Sequence, residues 1–127
     1  MTTARRVVLV EDETTIRTVI EILLSTEPDL ELVGTAATAE EGIDLVRDLA
    51  PDLVLLDNQL AGAMTGVQAA PTIKDVAPSV VVLLCTALDL HELAEREPAI
   101  DGYLRKDDLV ELVDVVRALL DAAPGRA

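Results

Sequence analysis

The chain has 127 residues, half of them hydrophobic, which suffices for one compact domain with a buried core. Tyr103 is the only phenylalanine, tyrosine or tryptophan, so leucine, valine, isoleucine and alanine must fill that core. The net charge of −14 repels phosphate backbones and anionic lipid, so this chain by itself is expected to bind neither nucleic acid nor a membrane surface.

The first half of the chain predicts two strands and two helices. Val7 to Val10 is a continuous apolar run, typical of a strand that is covered on both faces of a parallel sheet. Apolar residues three and four positions apart from Ile16 to Leu24 then predict a helix. Leu30 to Thr35 mixes polar residues into an apolar run and predicts an edge strand. Thr38 to Leu49 predicts a helix that starts with the threonine and glutamate spacing of a capping box.

The next part of the chain predicts two central strands, with two helices after them. Leu53 to Leu56 and Val80 to Cys85 are again continuous apolar runs. Gly66 to Ala77 predicts a helix, and we expect it to begin near Pro71, because proline is tolerated in the first turn of a helix. Asp89 to Arg96 has a narrow apolar face and predicts a short, weakly packed helix.

The end of the chain predicts a last strand and a last helix. Gly102 to Arg105 is short and half polar, as expected of an edge strand. Leu109 to Leu120 carries one apolar stripe and predicts a helix, and Asp108 with Glu111 has the spacing of a capping box at its start.

Strand and helix thus alternate five times, which predicts an α/β domain with helices on both faces of a parallel sheet. If the second and fifth strands form the edges, the simplest sheet order is 2-1-3-4-5, that of a flavodoxin-like doubly wound fold. We assign residues 1–122 to this domain and residues 123–127 to a tail or the start of a linker.

Polar side chains stand at the carboxyl end of four predicted strands. Glu11 and Asp12 follow the first strand, Asp57 the third, Thr86 the fourth and Lys106 the fifth. Ligands of open α/β sheets bind at this edge, where the strand order reverses. We therefore expect these five residues to converge on one site.

Carboxylates gathered at one edge repel one another unless a cation neutralises them, and Mg²⁺ prefers such oxygen ligands. The residues predict Asp12 and Asp57 as direct ligands of a magnesium ion. Glu11 is expected to act through water, and the backbone carbonyl of Gln59 is a further candidate ligand.

A carboxylate beside such an ion can attack phosphorus and form an acyl phosphate. Asp57 is the expected nucleophile. Lys106 would supply positive charge to the transferring oxygens, and the Thr86 hydroxyl is suited to bind a phosphoryl oxygen.

Four segments resemble the signature segments of response-regulator receiver domains, in the order of that family: Val10-Glu11-Asp12-Glu13, Leu55-Leu56-Asp57, Cys85-Thr86-Ala87 and Gly102-Tyr103-Leu104-Arg105-Lys106-Asp107. The likeness covers essentially the whole chain. It implies a bacterial two-component signalling domain that is no enzyme in the ordinary sense, although it can catalyse its own phosphorylation and dephosphorylation.

By this resemblance, a histidine kinase, a phosphotransfer protein or a small phosphodonor would phosphorylate Asp57 with Mg²⁺. Thr86 would be the switch hydroxyl and Tyr103 the switch aromatic residue. The face formed by the fourth helix, fifth strand and fifth helix would then change partners and could form a homodimer. A cytoplasmic location is expected, since Cys85 cannot form an internal disulfide and no secretion signal precedes the first apolar run.

The chain departs from the family in the loop after Asp57. Leu60-Ala61 replaces a common methionine-proline pair, and Gly66 comes one residue later than the usual glycine. The loop over the site is therefore the part of it whose shape the resemblance predicts least well.

Two other functions fit parts of the sequence. A haloacid-dehalogenase-like phosphatase also uses an aspartate after an apolar strand, but that family has a second aspartate where Gln59 stands here. A receiver-like interaction module that takes no phosphate is the second alternative, and the intact set of five site residues argues against it. Tyr103 also has a simpler interpretation, as a cover for apolar surface with its hydroxyl in water.

Overall fold

The computed structural model describes residues 3–123. Five strands form one parallel sheet in the order β2-β1-β3-β4-β5, as predicted. Their bounds are β1 Arg5–Val10, β2 Leu30–Ala36, β3 Leu53–Leu56, β4 Val81–Thr86 and β5 Gly102–Arg105. Each predicted strand is found to within two residues at either end. The predicted tail falls outside the described residues apart from Ala123.

Among residues 3–123, four α-helices connect the five strands, and a fifth α-helix follows β5 after a 3-10 helix. Their bounds are α1 Thr14–Ser25, α2 Ala39–Leu49, α3 Gly66–Val76, α4 His91–Arg96, the 3-10 helix Lys106–Glu111 and α5 Leu112–Ala122. As expected, α4 is short, and Ala94 is its only buried residue. Among residues 3–123, no helix has the length and apolar character needed to cross a bilayer.

The core consists of two aliphatic layers, one on each face of the sheet. Leu9, Leu55 and Leu83 point to the layer that α1 and α5 cover, and Val8, Val54 and Val82 point to the layer under α2 and α3. This alternation follows from the two-residue period of a strand. Cys85 is buried in the first layer, where desolvation raises the pKa of its thiol to about 12, so the reactive thiolate form is disfavoured.

Pro71 lies inside α3 and not at its start, so the predicted beginning of this helix was wrong. The helix begins at Gly66, where the Thr65 side chain accepts a hydrogen bond from the Gln68 backbone and the Gln68 side chain accepts one from the Thr65 backbone. This capping box satisfies the backbone N–H groups of Thr65 and Gln68 and so fixes the start of the helix, while Pro71 further along has no N–H to donate.

The predicted capping box of Asp108 and Glu111 was also wrong. Residues 106–111 form a 3-10 helix, and α5 begins only at Leu112, with no side-chain cap at its N-cap residue Glu111. Of the capping box predicted for α2, the threonine cap is confirmed, because the Thr38 hydroxyl accepts a hydrogen bond from the Glu41 backbone at 3.1 Å. The Glu41 carboxylate instead accepts a hydrogen bond from the Thr38 hydroxyl at 3.2 Å.

Candidate functional site

The carboxyl ends of the central strands bring three acidic side chains together. Glu11 and Asp12 follow β1, and Asp57 follows β3, its neighbour in the sheet. Each of the three offers a carboxylate oxygen, and these oxygens lie within 4.8 Å of one another. Glu11 and Asp57 are buried, whereas Asp12 is exposed at the mouth of the site. The positions of these residues after the predicted strands had indicated this convergence.

Lys106 enters the same site from the end of β5. Its Nζ lies 2.7 Å from Glu11 Oε1 and 3.1 Å from Asp57 Oδ2. The ammonium therefore joins the two buried carboxylates. Its shorter contact, with Glu11, was not foreseen, because Lys106 was expected to serve a phosphoryl group alone.

Burial and ion pairing shift the pKa values of the site's ionisable groups in opposite directions. Burial raises the pKa of Glu11, and its hydrogen bond to Lys106 offsets only part of that effect. Burial also lowers the pKa of Lys106, but hydrogen bonds to Glu11 and Asp57 outweigh it, so the net shift is upward. The lysine is therefore held in its charged form.

The oxygens of the cluster differ in what they are free to bind. Glu11 Oε1 contacts Lys106, and Glu11 Oε2 accepts a hydrogen bond from the Glu13 backbone at 3.1 Å. Asp57 Oδ1 is buried and finds no hydrogen-bond partner in the described part of the chain. A buried carboxylate oxygen without a donor is costly, so this atom is the one that calls for a ligand.

The donor set fits a hard divalent cation. Three carboxylates and one ammonium leave two formal negative charges in excess. All the candidate ligand atoms are oxygens, the ligand type that Mg²⁺ prefers. The free oxygen of Asp57 and the exposed carboxylate of Asp12 are the two best placed to bind such an ion directly.

The loop after Asp57 is held in place by Asn58, a residue that the sequence analysis missed. Its backbone carbonyl accepts a hydrogen bond from Gly66 N–H at 3.1 Å, and its side-chain oxygen accepts one from Val67 N–H at 3.0 Å. The start of α3 is thereby tied to the residue next to Asp57. An asparagine two residues after the end of a predicted strand was the available signal, because its side chain commonly bonds nearby backbone.

A cleft opens between this loop and the end of β5, lined by Asp12, Glu13, Asp57, Gln59, Leu60, Ala87 and Lys106. The expected site residues Asp12, Asp57, Gln59 and Lys106 thus share one opening. Gln59 is exposed at the rim of the cleft.

Thr86 and Tyr103 are linked through the backbone of the loop between β4 and α4. The buried Thr86 hydroxyl accepts a hydrogen bond from Leu88 N–H at 3.4 Å. The Tyr103 hydroxyl donates to the Leu88 carbonyl at 2.7 Å and accepts from Leu90 N–H at 3.0 Å. The simpler interpretation of Tyr103 placed its hydroxyl in water. These two hydrogen bonds show that the hydroxyl instead binds the loop.

Comparison with known proteins identifies the family. The profile described as the response regulator receiver domain matches residues 7–117. The chain belongs to this family. It is the receiver domain of a two-component response regulator, as its resemblance to the family implied.

Two relatives at about one third sequence identity are also response regulators. The receiver domain is 34% identical over 121 residues to the nitrate/nitrite response regulator protein NarL of Escherichia coli strain K12, covering 94% of this chain and 55% of that protein. It is 34% identical over 115 residues to the response regulator protein VraR of Staphylococcus aureus, covering 88% of this chain and 54% of VraR. The chain therefore spans about half the length of these relatives.

Solved structures share the fold. The signal receiver domain of the putative response regulator NarL from Mycobacterium tuberculosis superposes with a TM-score of 0.82 at 30% identity, covering 98% of this chain and 99% of that one. The response regulator domain of Thermotoga maritima CheB superposes with a TM-score of 0.86 at 22% identity, covering 95% and 99% of the two chains. At that identity the second match supports the fold alone.

Proposed function

We propose that this receiver domain accepts a phosphoryl group on Asp57 in a reaction that requires Mg²⁺. The observation that carries the proposal is the buried Oδ1 of Asp57, which lacks a hydrogen-bond partner among residues 3–123, while Oδ2 of the same carboxylate lies 3.1 Å from Lys106 Nζ. One oxygen of Asp57 is thus free to take a ligand, and the other is held by the Lys106 ammonium.

In the proposed step, a carboxylate oxygen of Asp57 forms a bond to phosphorus. The bond between phosphorus and the donor atom breaks, and the donor leaves with the electron pair. The Lys106 ammonium lies where it can stabilise negative charge on the transferring oxygens. The Thr86 hydroxyl would then donate a hydrogen bond to the phosphoryl group.

Asp12 and Asp57 would hold the metal ion, with Glu11 acting through water because both of its oxygens are already engaged. The backbone carbonyl of Gln59, at the rim of the cleft, would supply a further oxygen. When bound, Mg²⁺ would offset the negative charge that the phosphoryl oxygens add to the cluster.

Phosphorylation would change the shape of the domain through Thr86 and Tyr103. The modification adds about −1.5 to −2 charge and three acceptor oxygens. If Thr86 turned toward those oxygens, its hydrogen bond with Leu88 N–H would be lost. The carbonyl of the same Leu88 accepts a hydrogen bond from the Tyr103 hydroxyl. The face formed by α4, β5 and α5 would therefore respond, and it is the expected site of homodimerisation.

A histidine kinase or a phosphotransfer protein is the proposed phosphodonor, in the cytoplasm. Among similar proteins are a DNA-binding response regulator of the LuxR family from Staphylococcus aureus and relatives about twice as long as this chain. We infer that this domain regulates a DNA-binding partner or domain, while its own charge of −14 keeps it from binding nucleic acid directly.

The test is incubation with acetyl phosphate and Mg²⁺, followed by intact-mass measurement. The wild type should gain the mass of one phosphoryl group, and neither Asp57→Asn nor a sample with EDTA should gain it. Asp52→Asn is the matched control, because it changes an aspartate at the opposite end of β3 and should still be labelled. Labelling of Asp57→Asn to the wild-type level would refute the proposal.

The alternatives predict different outcomes of the same experiment. An interaction module that takes no phosphate would gain no mass under any condition. A haloacid-dehalogenase-like phosphatase would turn over ordinary phosphomonoesters, and Gln59 stands where that family has its second aspartate. Persistent release of phosphate from such an ester would favour this alternative.

A further inference from the structure

Arg105 holds the wall of the cleft, although no motif assigned it a role. It is the last residue of β5 and pairs with Thr86 in the sheet register. Its guanidinium donates a hydrogen bond to the Ala87 carbonyl at 3.3 Å. Ala87 lines the cleft together with Asp57 and Lys106. The side chain of Arg105 therefore contacts the residue that joins Thr86 to the opening of the site.

Arg105 and Tyr103 act on the same loop. They are two residues apart on β5 and so project from the same face of the strand, while Leu104 between them packs into the core under α1 and α5. Tyr103 binds Leu88 and Leu90, and Arg105 binds Ala87. Two β5 side chains thus fasten consecutive carbonyls of the loop that follows Thr86.

The surroundings of Arg105 argue against a purely stabilising role. Its Nε is buried and has no hydrogen-bond partner among residues 3–123. Its only ion pair, within the same part of the chain, is with the exposed Asp107 at 3.5 Å, and a pair of this kind contributes little. Neither feature stabilises the fold appreciably, so among residues 3–123 the hydrogen bond to the Ala87 carbonyl is the main contact that the guanidinium contributes.

We propose that Arg105 is a positioning residue for phosphoryl transfer. By fixing the Ala87 carbonyl it sets the course of the loop that follows Thr86, where Leu88 N–H donates to the Thr86 hydroxyl. It thereby sets the place where that hydroxyl meets the phosphoryl group. This inference rests on the proposed phosphorylation of Asp57. Arg105 itself touches none of the reacting groups.

The experiment compares the rate of labelling by acetyl phosphate and Mg²⁺ in four proteins. Arg105→Leu should be labelled about threefold to tenfold more slowly than the wild type, the change expected from losing one hydrogen bond that orients a reacting group. Arg105→Lys keeps the charge and a donor and should recover part of the rate. Arg47→Leu removes an equal charge from an exposed side chain on α2 and should match the wild type.

Amide hydrogen exchange tests the contact without relying on phosphorylation. In Arg105→Leu the amides of Leu88 and Leu90 should exchange faster, and that of Val54 in the central strand should not change. Combining Arg105→Leu with Tyr103→Phe should slow labelling by a factor different from the product of the two single effects, because both residues hold one loop.

The outcomes separate the two proposals. If the wild type takes no label, the proposed function fails and the role of Arg105 in transfer fails with it. If the wild type is labelled and Arg105→Leu is labelled as fast as Arg47→Leu, only the role of Arg105 is refuted. Unchanged exchange at Leu88 and Leu90 in Arg105→Leu would refute the contact on which that role depends.

Discussion

Gly66 packs directly against the backbone carbonyl of Asp57. A Cβ at position 66 would stand 2.1 Å from that oxygen, much closer than any real contact. The start of α3 and the proposed phosphoacceptor are therefore in contact through backbone atoms. Although Gly66 comes one residue later than the usual glycine of the family, it still reaches Asp57.

Gly66→Ala is expected to displace the Asp57 loop. Overpacking at a site that cannot move should lower the free energy of unfolding by about 1–3 kcal/mol, and labelling of Asp57 should slow. Denaturant unfolding and the rate of labelling by acetyl phosphate measure the two effects. Gly34→Ala is the control, because its Cβ would meet the flexible ends of the Leu49 and Leu45 side chains, at 3.0 and 3.4 Å, and no backbone atom among its nearest neighbours. Equal loss of stability in both variants would contradict the prediction.

Mg²⁺ should stabilise the domain through Asp12 and Asp57. At a concentration ten times its dissociation constant, a ligand that binds only the folded state adds about 1.4 kcal/mol. The melting temperature should therefore rise with Mg²⁺ in the wild type and much less in Asp12→Asn. Asp48→Asn, an exposed acid on α2, should behave as the wild type does. The metal assignment would be wrong if Asp12→Asn and Asp48→Asn responded alike.

Lys106→Met should destabilise the domain more than Lys74→Met does. Lys106 joins two buried carboxylates, and its loss would leave both without their cation, at a cost of about 3–5 kcal/mol when no metal is added. Lys74 instead pairs with the partly exposed Asp101. Unfolding in denaturant without Mg²⁺ measures both. A larger effect of Lys74→Met would show that the pairing in the site contributes little.

The ion pairs of Arg117 with Glu27 and Asp29, far from the proposed site, should make the free energy of unfolding depend on pH in acid. Arg117 Nε lies 2.8 Å from Asp29 Oδ2, and its hydrogen bonds hold the pKa of Asp29 below the ordinary 3.8. Folding therefore favours the ionised carboxylate. The stabilisation is complete above the ordinary pKa and is lost as the pH falls through the lowered value.

Arg117→Met should therefore destabilise the domain at neutral pH and less so in acid. The difference between the free energies of unfolding of the wild type and this variant is expected to be largest at neutral pH and to shrink as the pH falls below the ordinary aspartate pKa of 3.8. Arg47→Met removes an exposed pair with Asp44 and should show a smaller difference at neutral pH. A difference that grew in acid would contradict the prediction.

The strands and their order could be predicted from local patterns. Continuous apolar runs such as Leu53–Leu56 are too short for a core helix and indicate a strand buried on both faces, and parallel pairing then puts Glu11, Asp57 and Lys106 at one edge. This prediction succeeded because burial and strand direction are properties of each segment. The same holds for the threonine cap of α2, which involves residues only three positions apart.

The errors arose where contacts between distant segments compete with local preference. The sequence predicted that Pro71 begins α3, whereas the helix begins at Gly66. There the Gly66 N–H donates a hydrogen bond to the Asn58 carbonyl, and Gly66 packs against the Asp57 carbonyl. The start of α5 likewise lies beyond a 3-10 helix that the spacing of Asp108 and Glu111 did not indicate. Propensity rules describe a helix end alone and omit the neighbour against which it packs.

The sequence by itself determined the sheet, its two aliphatic layers and which side chains meet at one edge, because the period of apolar residues and the direction of parallel strands suffice for these. Only the tertiary structure decided how those side chains pair. That Lys106 holds Glu11, that an oxygen of Asp57 is left free and that Arg105 reaches Ala87 depend on distances across strands. Hydrogen bonds act over about 3 Å, and no sequence spacing specifies such distances between residues far apart in the chain.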